Sequence, residues 1–317
     1  MKPFLTSCLY FILPAMAVFI SIGFMADGYT DHSYLRFTSP KQTAMILGIS
    51  RAGRGLQPGI FNHTLQKEYP QLSLYNFAFS LDCSPYGEVY LDAIENKLKG
   101  TGKKGLFIVT IDPWSVIDFT NEHGDTIRHI ENNDILFKVK QVTGRPNFAY
   151  LVNGYEKPYI KILTTKVATS LLNDYPEYHL REDGWLEVTQ PMDSLSVQKR
   201  QQAVLNAYRK LYLPRCFISP VRIGWLVKTI SFLQQYGDVY LVRLPVHPSL
   251  LAIGNELSPR FDTLIDSLAR QQKVPYFNFS DSCANYTYMD GSHLSIESGT
   301  RVSEQLARLI AGYKDVH

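Results

Sequence analysis

The chain has 317 residues, 45% of them hydrophobic and 19% charged, which is enough apolar material for one substantial buried core. Its 32 basic and 29 acidic residues leave a formal charge of +3, with no basic stripe interleaved with aromatics, so the composition gives no support to a nucleic-acid partner. Four cysteines are too few for a disulfide framework, and no CxxC pair or His/Cys cluster stands at zinc-ligand spacing, so neither a metal nor another cofactor is expected.

In chain order, the first feature is FLTSCLYFILPAMAVFISIGFM, Phe4 to Met25, 22 residues without a charge. At about 1.5 Å per residue a helix of that length crosses the hydrocarbon layer of a membrane, and Pro14 is tolerable there. Lys2, the only charge before it, places the N-terminus in the cytoplasm and the rest of the chain in an extracytoplasmic, periplasmic-type compartment. A signal peptide cleaved near Ala15–Ala17 is the alternative. The apolar run continues eight residues past that point, which favours an uncleaved anchor. Cys8 belongs to this segment, and Cys83, Cys216 and Cys283 leave open one disulfide plus a free thiol, or three free thiols.

A polar linker follows at 28–40, after an anchor at 1–27. Over 41–317 the periodicity then changes. TAMILGI, LSLYNFAF, KGLFIVTI, GDVYLVRLPV and VPYFNFS are short apolar runs bounded by Gly, Pro, Asp or Ser, the pattern of strands buried on both faces. Between and after them Leu257, Phe261, Leu264, Ile265 and Leu268, then Val302, Leu306, Leu309 and Ile310, recur at helical steps. Strands alternating with helices predict an α/β fold with a central parallel sheet covered on both sides. The region 119–220 breaks the rhythm and reads as an insertion or lid, with one amphipathic helix around Val204, Ala207, Tyr208 and Leu211, and rim loops in VTGRPNFAYLVNGYEKPY.

Two places carry chemistry. Ser50 follows the first strand in MILGISRAGRGLQP, where the carboxyl end of a parallel strand and the following helix expose backbone N–H groups. A serine there can simply cap a helix, but Gly48, Gly53 and Gly55 give the backbone a closeness of approach that a cap does not need. The spacing is not the GxSxG elbow, since glycine follows Ser50 by three residues rather than two. Near the other end, MDGSHLS places Asp290 three residues before His293. An Asp-Gly turn with a surface histidine would look the same; so would a base and the carboxylate that orients it.

ILGISRA and MDGSHLS together resemble the first and last blocks of the SGNH, or GDSL-type, hydrolase superfamily. YNFAFSLDCSPYG and VRLPVHP further resemble an envelope-anchored branch associated with acyl transfer to polysaccharides. The resemblance covers about 41–118 and 220–312. It implies a three-layer, flavodoxin-like fold with Ser50 as nucleophile, His293 as general base and acid, and Asp290 as orienting carboxylate. The oxyanion would be held by the Ser50 N–H and a donor from the loop after the second strand, with Asn76 and Ser80 as candidates. The superfamily's oxyanion asparagine would fall in VTIDPWSV, where Asp112 stands instead, and a carboxylate cannot stabilise an oxyanion.

Arg51, Arg54, Arg243 and His247 are the nearby cationic candidates, Arg51 and Arg243 for substrate binding; Arg243 ends an apolar run and needs an acceptor such as Asp112 or Asp82. Trp114, Tyr86 and Trp185 are candidates for a sugar-stacking platform, but in a chain with 20 tyrosines packing is the preferred reading of them. The resulting expectation is an anchored esterase or O-acyltransferase that moves an acyl group, acetyl first of all, between an acyl donor and a carbohydrate acceptor or water through an acyl-Ser50 intermediate. The alternative is a non-catalytic protein on the same scaffold that assists a membrane-bound acyltransferase or a polysaccharide exporter.

Overall fold

The computed structural model describes residues 2–100, 102, 105–121, 123–127, 135–154 and 160–316. Five strands, β1 (Ala44–Leu47), β2 (Leu74–Asn76), β3 (Gly105–Thr110), β4 (Gly237–Arg243) and β5 (Tyr276–Asn278), form one sheet in the order β2-β1-β3-β4-β5. Every pairing is parallel; Met45 lies beside Tyr75 and Phe107, and Val109 beside Leu241.

Alternation along the strands divides the core into two faces. Met45, Leu47, Phe107, Val109, Val239 and Leu241 share one apolar cluster with side chains of three helices. These are α4 (Glu88–Lys97), α6 (Pro220–Leu233) and α8 (Phe261–Gln272). Ala44, Ile46, Leu106, Ile108, Tyr240 and Val242 point the other way, against α2 (Ser50–Gly55), α3 (Pro58–Thr64) and α9 (Ile296–Val316). Burial on both sides explains why these strands read as unbroken apolar runs. The chain therefore switches faces at the carboxyl ends of β1 and β3, which is where such sheets open a crevice.

The region between β3 and β4 covers that crevice. Its strand Ile117–Thr120 pairs antiparallel with Thr126–Ile127 and Cys216–Ile218. A two-stranded hairpin, Tyr178–Leu180 with Leu186–Val188, and α5 (Ser194–Ala207) follow. Leu205, Tyr208 and Tyr212 pack with Ile49, Trp114, Val246, Leu250 and Ile253 of α7 (Pro248–Leu257) over the sheet edge. Where loops are expected in 142–159, Asn147 caps a short helix, Phe148–Asn153, by accepting the Tyr150 N–H; 155–159 lie outside the described residues.

The segment read as a polar linker is folded. Tyr34–Thr38 forms a helical turn whose five residues are all buried. Arg36 donates to the Gly184 carbonyl at 2.8 Å and to that of His32 at 3.2 Å, while Lys97 Nζ holds the carbonyls of Arg36, Ser39 and Val142 at 3.0, 2.7 and 2.6 Å. Polar flanks hid this element because its buried cations are satisfied by backbone oxygens rather than by a recognisable partner in sequence. Before it, α1 (Lys2–Phe24) includes a 22-residue stretch, Pro3–Phe24, long and apolar enough to cross a membrane and unburied along its apolar window. All four cysteines are free.

Candidate functional site

Ser50 is set in place by its neighbours on β1. Gly48 turns the chain at φ 139°, and a Cβ there would lie 1.8 Å from Thr110 Oγ1, so only glycine fits. The Gly48 carbonyl accepts from Ser84 Oγ at 2.8 Å and from the Phe79 N–H at 3.3 Å, while its N–H donates to the Tyr90 hydroxyl at 3.1 Å. Ile49 is extended, and Ser50 becomes the first residue of α2.

The partner turn precedes α9. Gly291 takes φ 83°, which folds the chain back so that Asp290 Oδ1 accepts the N–H groups of Ser292 and His293, both at 2.9 Å. The same carboxylate meets His293 Nδ1 through Oδ2 at 2.8 Å, and His293 Nε2 lies 2.9 Å from Ser50 Oγ. The structure thus brings Ser50, His293 and Asp290 into one hydrogen-bonded line across 243 residues of sequence. Their surroundings set the charge states. Burial and the neighbouring Arg54 cation push the His293 ring down to about 4 against the pull of Asp290, so the imidazole is neutral at rest. Burial alone would raise the Asp290 carboxyl, but the His293 ring and the two backbone donors outweigh it and hold it below the usual carboxylate range. A neutral imidazole fixed by an ionised carboxylate and touching a hydroxyl has the geometry to take that hydroxyl's proton.

The two arginines of α2 flank this line differently. Arg51 is buried and well provided for, with Asp112 Oδ1 at 2.7 Å, Ser292 Oγ at 3.2 Å and the Tyr208 hydroxyl at 3.2 Å. It ties the helix of Ser50 to the Asp290 turn and to the insertion, and it neutralises Asp112. Arg54 places one terminal nitrogen 3.5 Å from His293 Nδ1 and 3.9 Å from Asp290 Oδ2.

Three expectations change. Asn76 Nδ2 donates to the carbonyls of Ala52 and Leu56, each at 2.9 Å, and its oxygen accepts the Ala78 N–H, so its amide is spent on bracing α2 and not offered to a ligand. Arg243 pairs with Asp262 at 2.5 Å and lies over Phe261, on the α8 side, with neither Asp112 nor Asp82. His247 caps α7 by accepting the Ser249 N–H, and burial lowers its pKa, which makes it a neutral structural group and not a cation. Ser80 is exposed in the loop that Phe79 fastens to Gly48.

Trp114 and Tyr86 are buried, which removes them from any stacking surface. Trp185 donates its indole N–H to the Arg54 carbonyl at 2.8 Å and lines a cavity of about 640 Å³ with Tyr29, Gln57, His179 and Asp183. Sequence reasoning did not place Tyr178, Tyr208 or Ser292 at the site, although each lies against one of the two arginines. Among the described residues no group of three or more His, Cys, Asp or Glu side chains is placed to hold a metal ion. No family model matches the chain, and no curated protein matches it in sequence.

Proposed function

We propose that this protein is a membrane-anchored serine esterase or O-acyltransferase of SGNH type, moving an acyl group, acetyl foremost, between an acyl donor and a hydroxyl of an envelope carbohydrate or water. The observation that carries the reading is the 2.9 Å approach of Ser50 Oγ to His293 Nε2 with Asp290 behind the ring. The strand order 2-1-3-4-5 is that of flavodoxin-like sheets, and Ser50 stands at their switch point, which supports the same placement of the site.

In this reading Ser50 Oγ attacks the acyl carbonyl as its proton passes to His293 Nε2. The imidazolium returns that proton to the departing alkoxide when the C–O bond breaks, leaving acyl-Ser50. An acceptor hydroxyl or water then gives its proton to His293 and attacks the acyl carbon, and Ser50 Oγ leaves with the proton from the ring. Asp290 stays ionised and stabilises the imidazolium. The oxyanion is assigned to the backbone N–H groups of Ser50 and Ser80, because the Asn76 amide and the Ala78 and Phe79 N–H groups are engaged and Asp112 is paired with Arg51.

Ser50→Ala and His293→Ala should each abolish ester turnover and labelling by a fluorophosphonate probe; labelling that survives Ser50→Ala would end this assignment. The alternative, a non-catalytic helper of a membrane-bound acyltransferase, predicts instead that Ser50→Ala leaves the cellular phenotype intact while loss of the insertion or anchor removes it.

A further inference from the structure

Arg54 stands beside the site without a counter-charge of its own. Its side chain is 17% exposed and its guanidinium sits over the Tyr178 ring at 5.3 Å, and Nε is buried without an acceptor. His293 Nδ1 carries the proton that Asp290 accepts, so it cannot accept from Arg54 as well; two N–H groups face each other at 3.5 Å. The only carboxylate near Arg54 among the described residues is Asp290 at 3.9 Å, already engaged by His293. Arg51, one turn earlier, has a carboxylate and two hydroxyls of its own.

Such a cation opposes the imidazolium that the proposed acyl transfer must form. The charges facing His293 are Asp290 from its own turn and Arg54 and Arg51 from α2, with Arg51 neutralised by Asp112, so Arg54 is the one without its own counter-charge. We propose that the substrate supplies it: a carboxylate or phosphate on the acyl donor or on the acceptor seats against the open edge of Arg54, and the site selects anionic substrates. The inference rests on the acyl-transfer reading. A bound anion offsets Arg54, leaves the attraction of Asp290 for the ring unopposed, and so couples substrate binding to the basicity of His293.

The test uses the full chain in detergent and two pairs of esters, each an anion and a neutral twin with a matched leaving group. Mono-4-nitrophenyl adipate against 4-nitrophenyl methyl adipate places the anion on the acyl side, and 4-acetoxyphenyl phosphate against 4-methoxyphenyl acetate places it on the alcohol side. At low salt, kcat/KM for the anionic member of one pair should exceed that for its neutral twin by roughly tenfold or more, the worth of one charge-assisted contact, and the pair that shows the preference tells which substrate bears the charge. Arg54→Gln should bring that ratio close to one, with Arg54→Lys recovering part of it. Equal turnover within both pairs by the unmodified protein, or a preference that persists in Arg54→Gln, overturns the proposal.

A second measurement needs no turnover. In Ser50→Ala protein the His293 ring is titrated by NMR with and without inorganic phosphate or acetate. Either anion should raise the midpoint with Arg54 present and not in Arg54→Gln. An unmoved midpoint overturns the Arg54 proposal on its own, whereas failure of every ester together with absence of fluorophosphonate on Ser50 counts against the acyl-transfer reading.

Discussion

His293 is the residue on which pH acts. Its ring has an ordinary value of 6.5 and is held at about 4 in the folded protein by burial and by Arg54. In the proposed reaction the acid limb of kcat/KM belongs to this free-enzyme base, so turnover should remain level well below pH 6.5 and fall only as pH approaches about 4. Stability moves with the same group. Between those two values the unfolded chain binds the extra proton, so stability declines as pH falls through the window, by roughly 3 kcal/mol at most from this residue. Urea midpoints at pH 7 and pH 5 should differ less in His293→Gln than in the unmodified protein; an unchanged difference would assign the acid sensitivity elsewhere. The residues of this relay were legible because each stands in a short motif at a strand or helix end. The partners of Asn76 and Arg243 were also written in the sequence, through parity. Val239, Leu241 and Arg243 share one face of β4, which is the α8 face that carries Asp262, and Leu74 and Asn76 share the face of β2 that packs on α2. What parity leaves out is distance across the fold, which is why nothing in the sequence joins Arg51 to Asp112.

At the scale of elements, the insertion is held to the sheet by a buried charge pair. Asp118, on the insertion's central strand, accepts from Arg222 Nε at 2.9 Å and from Ser219 Oγ at 2.5 Å, and both charged side chains are 2% exposed. Ser219 is also the cap of α6, so one carboxylate joins that helix start to the strand. Removing it deprives the buried Arg222 guanidinium of this carboxylate. Asp118→Ala should therefore lower the unfolding free energy by about 3–5 kcal/mol, read from urea midpoints, and Asp118→Leu with Arg222→Met should recover much of that loss. A single substitution without effect would show that water reaches the pair. The hairpin beside the site could have been found earlier: Asp183-Gly184 lies between the alternating Tyr178, Leu180 and Leu186, Val188, which is the strongest short hairpin pattern. Strands of three residues in a polar stretch gave too little apolar run to be noticed by burial alone.

At the scale of the whole molecule, the question is what α1 does for a domain that folds around its own sheet. Its apolar window is unburied, so in water it would expose an uninterrupted hydrocarbon surface, whereas about 33 Å of helix matches the hydrocarbon thickness of a bilayer. Among the described residues the domain holds the last turns of this helix and the residues just after it: Phe19 stacks on Phe148, Ile22 packs on the main core, Ala26 is fully buried, and Arg145 donates to the Ala26 carbonyl at 3.1 Å. That division predicts how the chain can be cut. The full chain should stay in membrane pellets through alkaline carbonate extraction, and its intact mass should include residues before Ala17. A variant lacking residues 2–20 should become soluble while retaining fluorophosphonate labelling, because no sheet or relay residue is removed; a variant lacking residues 2–30 should lose stability, because it also takes away Ala26 and the Asp27–Thr30 turn, where Asp27 accepts the Tyr29 and Thr30 N–H groups. Protein expressed from the full sequence and recovered in the soluble fraction with its first residues missing would instead make α1 a leader that is cut off, and the sheet domain a free one.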